Sequence, residues 1–88
     1  MNQLTLSDGT VLENSTAHED NGIGTLFIYV ETGHTMKEIF DLLYDSEKSK
    51  KIVFDRIDGQ SVTFRGYKHL IDVRDEGNGM ITAALKKN

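Results

Sequence analysis

The sequence predicts an α+β fold: an antiparallel β-meander, roll or small open barrel of about six to seven strands, with one helix packed on it. Three Gly-bearing turn signals, at Asp8-Gly9, Asp58-Gly59 and Gly77-Asn78-Gly79, separate runs rich in Val, Ile, Thr, Phe and Leu, which is typical of β-hairpins. Between the first two signals lies a single segment with helical spacing. The predicted order is therefore β-β-β-α-β-β-β-β, in one domain covering residues 1–88.

Composition and charge exclude several classes of protein. The hydrophobic fraction of 38% and charged fraction of 27% are those of a soluble globular domain with one small core. There is no cysteine, so neither a disulfide nor a thiolate metal site can form. The net charge of −4 disfavours nucleic-acid binding, because such a surface repels phosphates. No apolar run approaches the ~20 residues of a membrane helix, and the N-terminus lacks signal-peptide features, so we expect a cytoplasmic protein.

The first hairpin is expected around Asp8-Gly9. If Gly9 takes the left-handed position of a three-residue turn with a G1 bulge, Leu4 lies opposite Leu12 on one face. The polar residues 14–22 are then interpreted as a loop or a ragged strand end. The strongest strand runs from Ile23 to Val30 and is apolar on both faces toward its end, which predicts a central position. Gly24, near its start, indicates a bulge or a close backbone approach.

The helix is predicted to begin after Thr35 and to end near Asp45-Ser46. Thr35 to Glu38 forms a capping box, in which the Thr hydroxyl accepts the Glu38 amide and the Glu side chain returns to the Thr35 amide. One apolar stripe follows at helical spacing, formed by Met36, Ile39, Phe40 and Leu43. The stripe is interpreted as a lid over the sheet, with a partner-binding helix as the alternative.

The second hairpin surrounds Asp58-Gly59. A bulged turn there segregates large apolar residues onto one face, under the helix, better than a two-residue turn does. The predicted pairs are Ile52 with Phe64, Val53 with Thr63, Phe54 with Val62 and Asp55 with Ser61.

The last hairpin is predicted to turn at Glu76-Gly77-Asn78. That turn lets Ile71 and Val73 face Ala83 and Ile81. The terminal segment Lys86-Lys87-Asn88 is expected to fray into solvent.

No residues predict a metal site or catalysis. His18-Glu19-Asp20 and His34 lie in separate predicted loops and match no ligand spacing, so no metal or cofactor is expected. His69 begins a strand, where a partly packed histidine is the ordinary outcome. The pairs Asp72 with Asp75 and Asp55 with Asp58 are interpreted as solvated faces and turn formers. No nucleophile elbow is present, and Gly77-Asn78-Gly79 lacks the Lys and the following helix of a phosphate loop.

Two groups of residues carry alternatives. Lys48, Lys50 and Lys51 follow the helix, where positive charge complements the helix dipole; the alternative is an anion site. Tyr29, Phe64 and Tyr67 are interpreted as core or interface residues, and the alternative is a stacking platform for single-stranded nucleic acid.

Several segments carry a family resemblance. These are Leu4 to Leu12, the helix end Asp45-Ser46-Glu47-Lys48, the strand Ile52 to Phe54, Thr63 to Ile71 with its Gly66-Tyr67 corner, and Ile81 to Lys86. The chain resembles small proteins encoded by bacteriophages and prophages of Gram-positive bacteria. That resemblance has no catalytic residues to transfer. It implies a non-enzymatic accessory or structural part, from the tail or head–tail gene region.

Function is therefore expected from an interaction surface. The first hypothesis is an assembly module that self-associates or docks on a larger viral assembly, through edge strands or a sheet face. The second is a module that binds a small ligand or a host protein. A hydrolytic or metal-dependent enzyme is the third. The first places the chain in the host cytoplasm or in the virion.

Overall fold

A computed structural model describes residues 2–31 and 33–87, which form eight strands in two four-stranded antiparallel sheets. The strands are β1 (Gln3–Thr5), β2 (Val11–Glu13), β3 (Ser15–Asp20), β4 (Thr25–Val30), β5 (Lys51–Asp55), β6 (Ser61–Arg65), β7 (His69–Asp75) and β8 (Ile81–Lys86). The helix α1 (Met36–Tyr44) and the single turn α2 (Ser46–Ser49) lie between β4 and β5. The predicted α+β class is confirmed, and both sheets are open rather than closed into a barrel.

The two sheets are built from alternating hairpins. The first sheet has the order β2-β1-β5-β6, and the second has the order β3-β4-β8-β7. Each sheet therefore contains one hairpin that precedes α1 in the chain and one that follows it. The two hairpins pair along β1 and β5 in the first sheet and along β4 and β8 in the second. The predicted central position of the strand ending at Val30 is confirmed, because β4 lies between β3 and β8.

The strand β3 was not predicted. It pairs with β4 along its whole length, from Ser15 opposite Val30 to Asp20 opposite Thr25. The prediction of a loop or a ragged strand end is wrong because backbone pairing to an apolar neighbour outweighs the polar composition of this segment. The following strand, β4, begins at Thr25 and is therefore shorter at its start than predicted: Gly24 (φ +64°) belongs to the β3–β4 turn, not to a bulge within β4.

The first and second hairpins turn as predicted. In both turns the residue before the three-residue loop donates its N–H to the carbonyl of the residue after it, at 2.8 Å. Gly9 and Gly59 take the left-handed bulge position, with φ of +90° and +87°. The predicted pairs are all observed: Leu4 with Leu12, Ile52 with Phe64, Val53 with Thr63, Phe54 with Val62 and Asp55 with Ser61.

The register of the last hairpin differs from the prediction by two residues. Val73 lies opposite Ala83, and Asp75 lies opposite Ile81. The turn uses the same backbone bond, from Glu76 N–H to the Met80 carbonyl, and it is centred one residue later than predicted. Farther along β7 a bulge between Leu70 and Asp72 leaves Ile71 without a partner on β8.

One hydrophobic cluster takes side chains from both sheets and from α1. Its members are Leu4, Leu6, Leu12, Leu26, Ile28, Val30, Ile39, Leu43, Ile52, Phe64, Tyr67, Ile81, Ala83 and Leu85. Helix α1 packs against β7 and β8. The prediction that it covers the second hairpin therefore holds only in part: Ile52 and Phe64 share the buried cluster with Ile39 and Leu43, whereas Val62 stays exposed.

The ends of α1 follow the predicted signals only in part. The Glu38 amide donates to the Thr35 hydroxyl at 3.2 Å, as predicted, but the Glu38 carboxylate contacts that hydroxyl and the His34 ring instead of the Thr35 amide. The helix ends at Tyr44, and the Asp45 side chain then caps α2.

The last residues of β8 are ordered by backbone bonds. Lys86 pairs with Thr25, and Lys87 donates its N–H to the Gly24 carbonyl. The expected fraying is therefore wrong for these two lysines, and Asn88 lies outside the described residues.

Candidate functional site

A groove runs between α1 and β7, the edge strand of the second sheet. Its main hollow has a volume of about 420 Å³ and is lined by Met36, Lys37, Phe40, Leu70, Ile71, Asp72 and Val73. A second hollow of about 310 Å³ continues it along Tyr44, Ser46, Lys68, His69 and Leu70. Because the two hollows share Leu70, we treat them as one feature, the α1–β7 groove.

The helix wall of the groove arises from an apolar stripe that is wider than the core can cover. Ile39 and Leu43 are fully buried, whereas Met36 and Phe40 are 42% and 45% exposed. Tyr44 lies one turn beyond Phe40, and the two rings stack with their centroids 5.1 Å apart. The helix therefore buries only half of its predicted stripe and leaves a second apolar row, spaced at i, i+4 and i+8, facing solvent.

The strand wall of the groove depends on the bulge in β7. Because that bulge removes Ile71 from the ladder, its side chain is 56% exposed instead of packed. Leu70 and Val73, on either side, are partly buried against the core. Sequence reasoning missed this wall, since no residue type in His69–Asp75 announces a bulge.

The charges at the rim of the groove are balanced in pairs. Lys37 Nζ lies 2.9 Å from Asp41 Oδ2, and this hydrogen bond raises the pKa of Lys37 above its usual value. Arg74 Nε lies 2.6 Å from Asp72 Oδ2. These exposed pairs contribute little to stability. Because each positive side chain pairs with a negative one, the rim carries no excess negative charge, unlike the chain as a whole.

The residues weighed as metal ligands do not converge. His18 and Glu19 are neighbours on β3, so their side chains lie on opposite faces of the second sheet. His34 precedes α1 and contacts Glu38 at 3.2 Å. Within residues 2–31 and 33–87, no group of three or more His, Asp or Glu side chains is placed to hold a metal ion.

The carboxylate pairs serve local structure. Asp75 accepts the Gly77 amide at 2.8 Å, and Asp58 accepts the Gln60 amide at 3.0 Å, so both side chains stabilise turns. Asp55 accepts the Ser61 hydroxyl at 2.6 Å across the β5–β6 ladder.

The basic cluster belongs to α2 and the start of β5. Lys48 lies in the last turn of α2, and Lys50 is its C-cap, positions that favour positive charge. Lys50 also pairs with Glu47 at 2.8 Å. Helix α1 itself has no basic residue in its last turn, so these lysines stand at the end of the short turn α2 and not at the end of the predicted helix.

The three aromatic residues of the suggested stacking platform are not on one surface. Tyr67 and Phe64 are buried in the core, and Tyr29 points to the outer face of the second sheet. The Tyr67 hydroxyl donates to Glu19, and Lys87 Nζ lies 5.1 Å from its ring centroid. Burial and the hydrogen bond to Glu19 raise the pKa of Tyr67 from 10.0 to about 12.

A further hollow lies on the outer face of the second sheet. It has a volume of about 280 Å³, and its floor is formed by the small side chains of β8. Phe27 and Tyr29 stand on one side, and Asp72, Arg74 and Glu76 stand on the other. It is smaller and more polar than the α1–β7 groove, which therefore remains the better candidate.

A scan against protein-family models, a search of curated proteins and a search of solved structures each gave no significant match to this chain. None of the helices in the described part of the chain is long and apolar enough to cross a membrane.

Proposed function

We propose that this chain is a non-enzymatic protein-interaction module that binds an extended segment of a protein in the α1–β7 groove. The observation that carries the proposal is the exposure of Met36, Phe40 and Ile71 beside an edge strand. An edge strand has backbone groups available for another chain, and adjoining apolar side chains give such pairing specificity.

The geometry supports strand addition in particular. A segment paired with β7 directs alternate side chains to the inner side of the sheet, where α1 lies. Those side chains then contact the row formed by Met36 and Phe40, while the backbone of the segment satisfies that of β7. The seven residues of β7 span roughly 23 Å at the usual rise per residue, enough to hold a short peptide.

The resemblance to phage- and prophage-encoded proteins supports a place for this module in phage assembly. In that role the chain is made in the host cytoplasm and docks on a larger part of the tail or head–tail region, or on another copy of itself. Neither a cofactor nor a nucleic acid takes part.

The alternative is a module for a small ligand or a host protein. The volume of the main hollow, about 420 Å³, favours it, because this lies within the range of small-molecule sites. A small ligand would occupy the apolar space beside Phe40 without pairing to the backbone of β7.

A peptide-display selection tests the proposal. We expect random peptides selected on the folded chain to share alternating apolar positions, and their binding to be lost in Phe40→Ser. The matched control is Ile57→Ser, which removes an even more exposed apolar side chain at the β5–β6 turn. Peptides that bind Phe40→Ser and the wild type equally would contradict the proposed site. Fragment screening by NMR that shifts groove amides, with no peptide selected, would favour the alternative.

A further inference from the structure

We propose that the segment bound in the groove belongs to a second copy of this chain. Two copies pair β7 antiparallel around a twofold axis at Val73, which joins their second sheets into one continuous sheet of eight strands. This inference rests on the proposed function and names its partner. It follows from the charge pattern of β7 and from the position of α1.

The triplet Asp72-Val73-Arg74 is self-complementary. Asp72 and Arg74 lie on the same face of β7, as their contact at 2.6 Å shows. In an antiparallel pair centred on Val73, Asp72 of each copy lies opposite Arg74 of the other, so two cross-strand ion pairs form. Opposite charges directly across an antiparallel pair stabilise it, and like charges destabilise it.

The apolar side chains of the groove are also compatible with a twofold axis at Val73. Val73 faces its own copy at the axis, and Met36 and Phe40 line the groove beside it. Both copies carry α1 on the same side of the joined sheet, so these two residues approach their counterparts across the axis. Such a closed, isologous interface covers Met36 and Phe40 in both copies and leaves no repeating surface for further growth.

The other edge strands lack this pattern. β2 has only three residues, β3 has no permanent positive charge, and β6 carries Arg65 but no acid. Elsewhere the net charge of −4 makes two copies repel each other. Among the described edge strands, β7 is therefore the one whose charges favour a second copy.

Sedimentation velocity over a concentration series, with circular dichroism to verify folding, tests the inference. We expect the wild type to dimerise and Arg74→Glu to raise the dimer Kd by about tenfold or more, because both ion pairs become repulsive contacts. The double swap Asp72→Arg with Arg74→Asp keeps the charges complementary and should restore the dimer. The control Arg65→Glu makes the same charge change on β6 and should leave the Kd unchanged.

Three results would overturn the inference. A wild type that stays monomeric at about 1 mM excludes a second copy as the partner. If the selected peptides still need Phe40 for binding in that case, the proposed function holds and only the identity of the partner is wrong. A dimer that Arg74→Glu does not weaken lies elsewhere on the surface. Failure of the double swap to restore the dimer excludes pairing centred on Val73.

Discussion

The hydroxyl of Tyr67 joins the β6–β7 connection to the second sheet. Tyr67 lies in that connection, after Gly66 (φ +87°), and its hydroxyl donates to Glu19 on β3. The ring is fully within the core cluster, while Glu19 is partly buried. The Glu19 carboxylate can be partly buried on the inner face of β3 because the Tyr67 hydroxyl donates a hydrogen bond to it.

Removing that donor should destabilise the protein. We expect Tyr67→Phe to lower the free energy of unfolding by about 1–3 kcal/mol, because Glu19 loses its partner while the ring packing is kept. Urea unfolding followed by circular dichroism measures this, since the chain has no tryptophan. Tyr29→Phe, which removes a hydroxyl on the outer face, is the matched control and should change the free energy by less than about 0.5 kcal/mol. Equal effects of the two substitutions would contradict the role of Tyr67.

The same residue predicts a pH dependence. The pKa of Tyr67 is about 12 in the folded protein against 10.0 for an ordinary tyrosine, so the unfolded state loses this proton first. The stability that Tyr67 contributes is therefore complete below pH 10 and is lost as the pH rises from 10 to 12. The difference in Tm between wild type and Tyr67→Phe should narrow over that interval. Absorbance titration of the wild type should show the late ionisation of Tyr67, and its persistence in Tyr67→Phe would contradict the assignment.

At the scale of elements, turn chemistry was the most predictive signal. Asp8-Gly9 and Asp58-Gly59 each gave the correct register, because a left-handed glycine and an aspartate that binds the backbone two residues later specify one turn type. The last hairpin has two glycines with positive φ, Gly77 and Gly79, and the sequence did not decide between them. The resulting error moved its register by two residues.

The turn glycines should be sensitive to a β-carbon for backbone reasons alone. No atom lies within 4 Å of a Cβ built on Gly59, yet its φ is +87°. We therefore expect Gly59→Ala to destabilise the protein by about 1–2 kcal/mol, and Gly59→Asn to cost clearly less, because Asn tolerates left-handed backbone. Thermal unfolding of the two variants measures the difference. An alanine variant as stable as the asparagine variant would show that the turn relaxes to another conformation.

Only the helix wall of the α1–β7 groove could be predicted from the sequence. The stripe from Met36 to Leu43 was visible in the sequence, but its division into a buried and an exposed half depends on α1 packing against β7 and β8. The strand wall depends on the bulge between Leu70 and Asp72, which leaves Ile71 exposed and unpaired with β8. Neither property is local, so neither could be predicted from spacing alone.

At the scale of the whole molecule, the alternation of hairpins makes the two halves of the chain interdependent. The sequence predicted neighbouring antiparallel pairs, which are present, but not the long-range pairs β1–β5 and β4–β8 that assemble the sheets. Which distant strands pair depends on the burial of whole sheet faces, and no sequence motif in either strand marks the pairing. For the same reason β3, polar in sequence, became a strand only through its contact with β4.

This interleaving predicts one cooperative unfolding unit. Ile52 lies in the first sheet and Ile28 in the second, and both are fully buried in one cluster. Ile52→Val and Ile28→Val should each cost about 0.5–1.5 kcal/mol and should speed global amide exchange equally in β1, β4, β5 and β8. The surface substitution Val11→Ala is the control and should leave that exchange unchanged. If Ile28→Val accelerated exchange only in the second sheet, the two sheets would unfold separately.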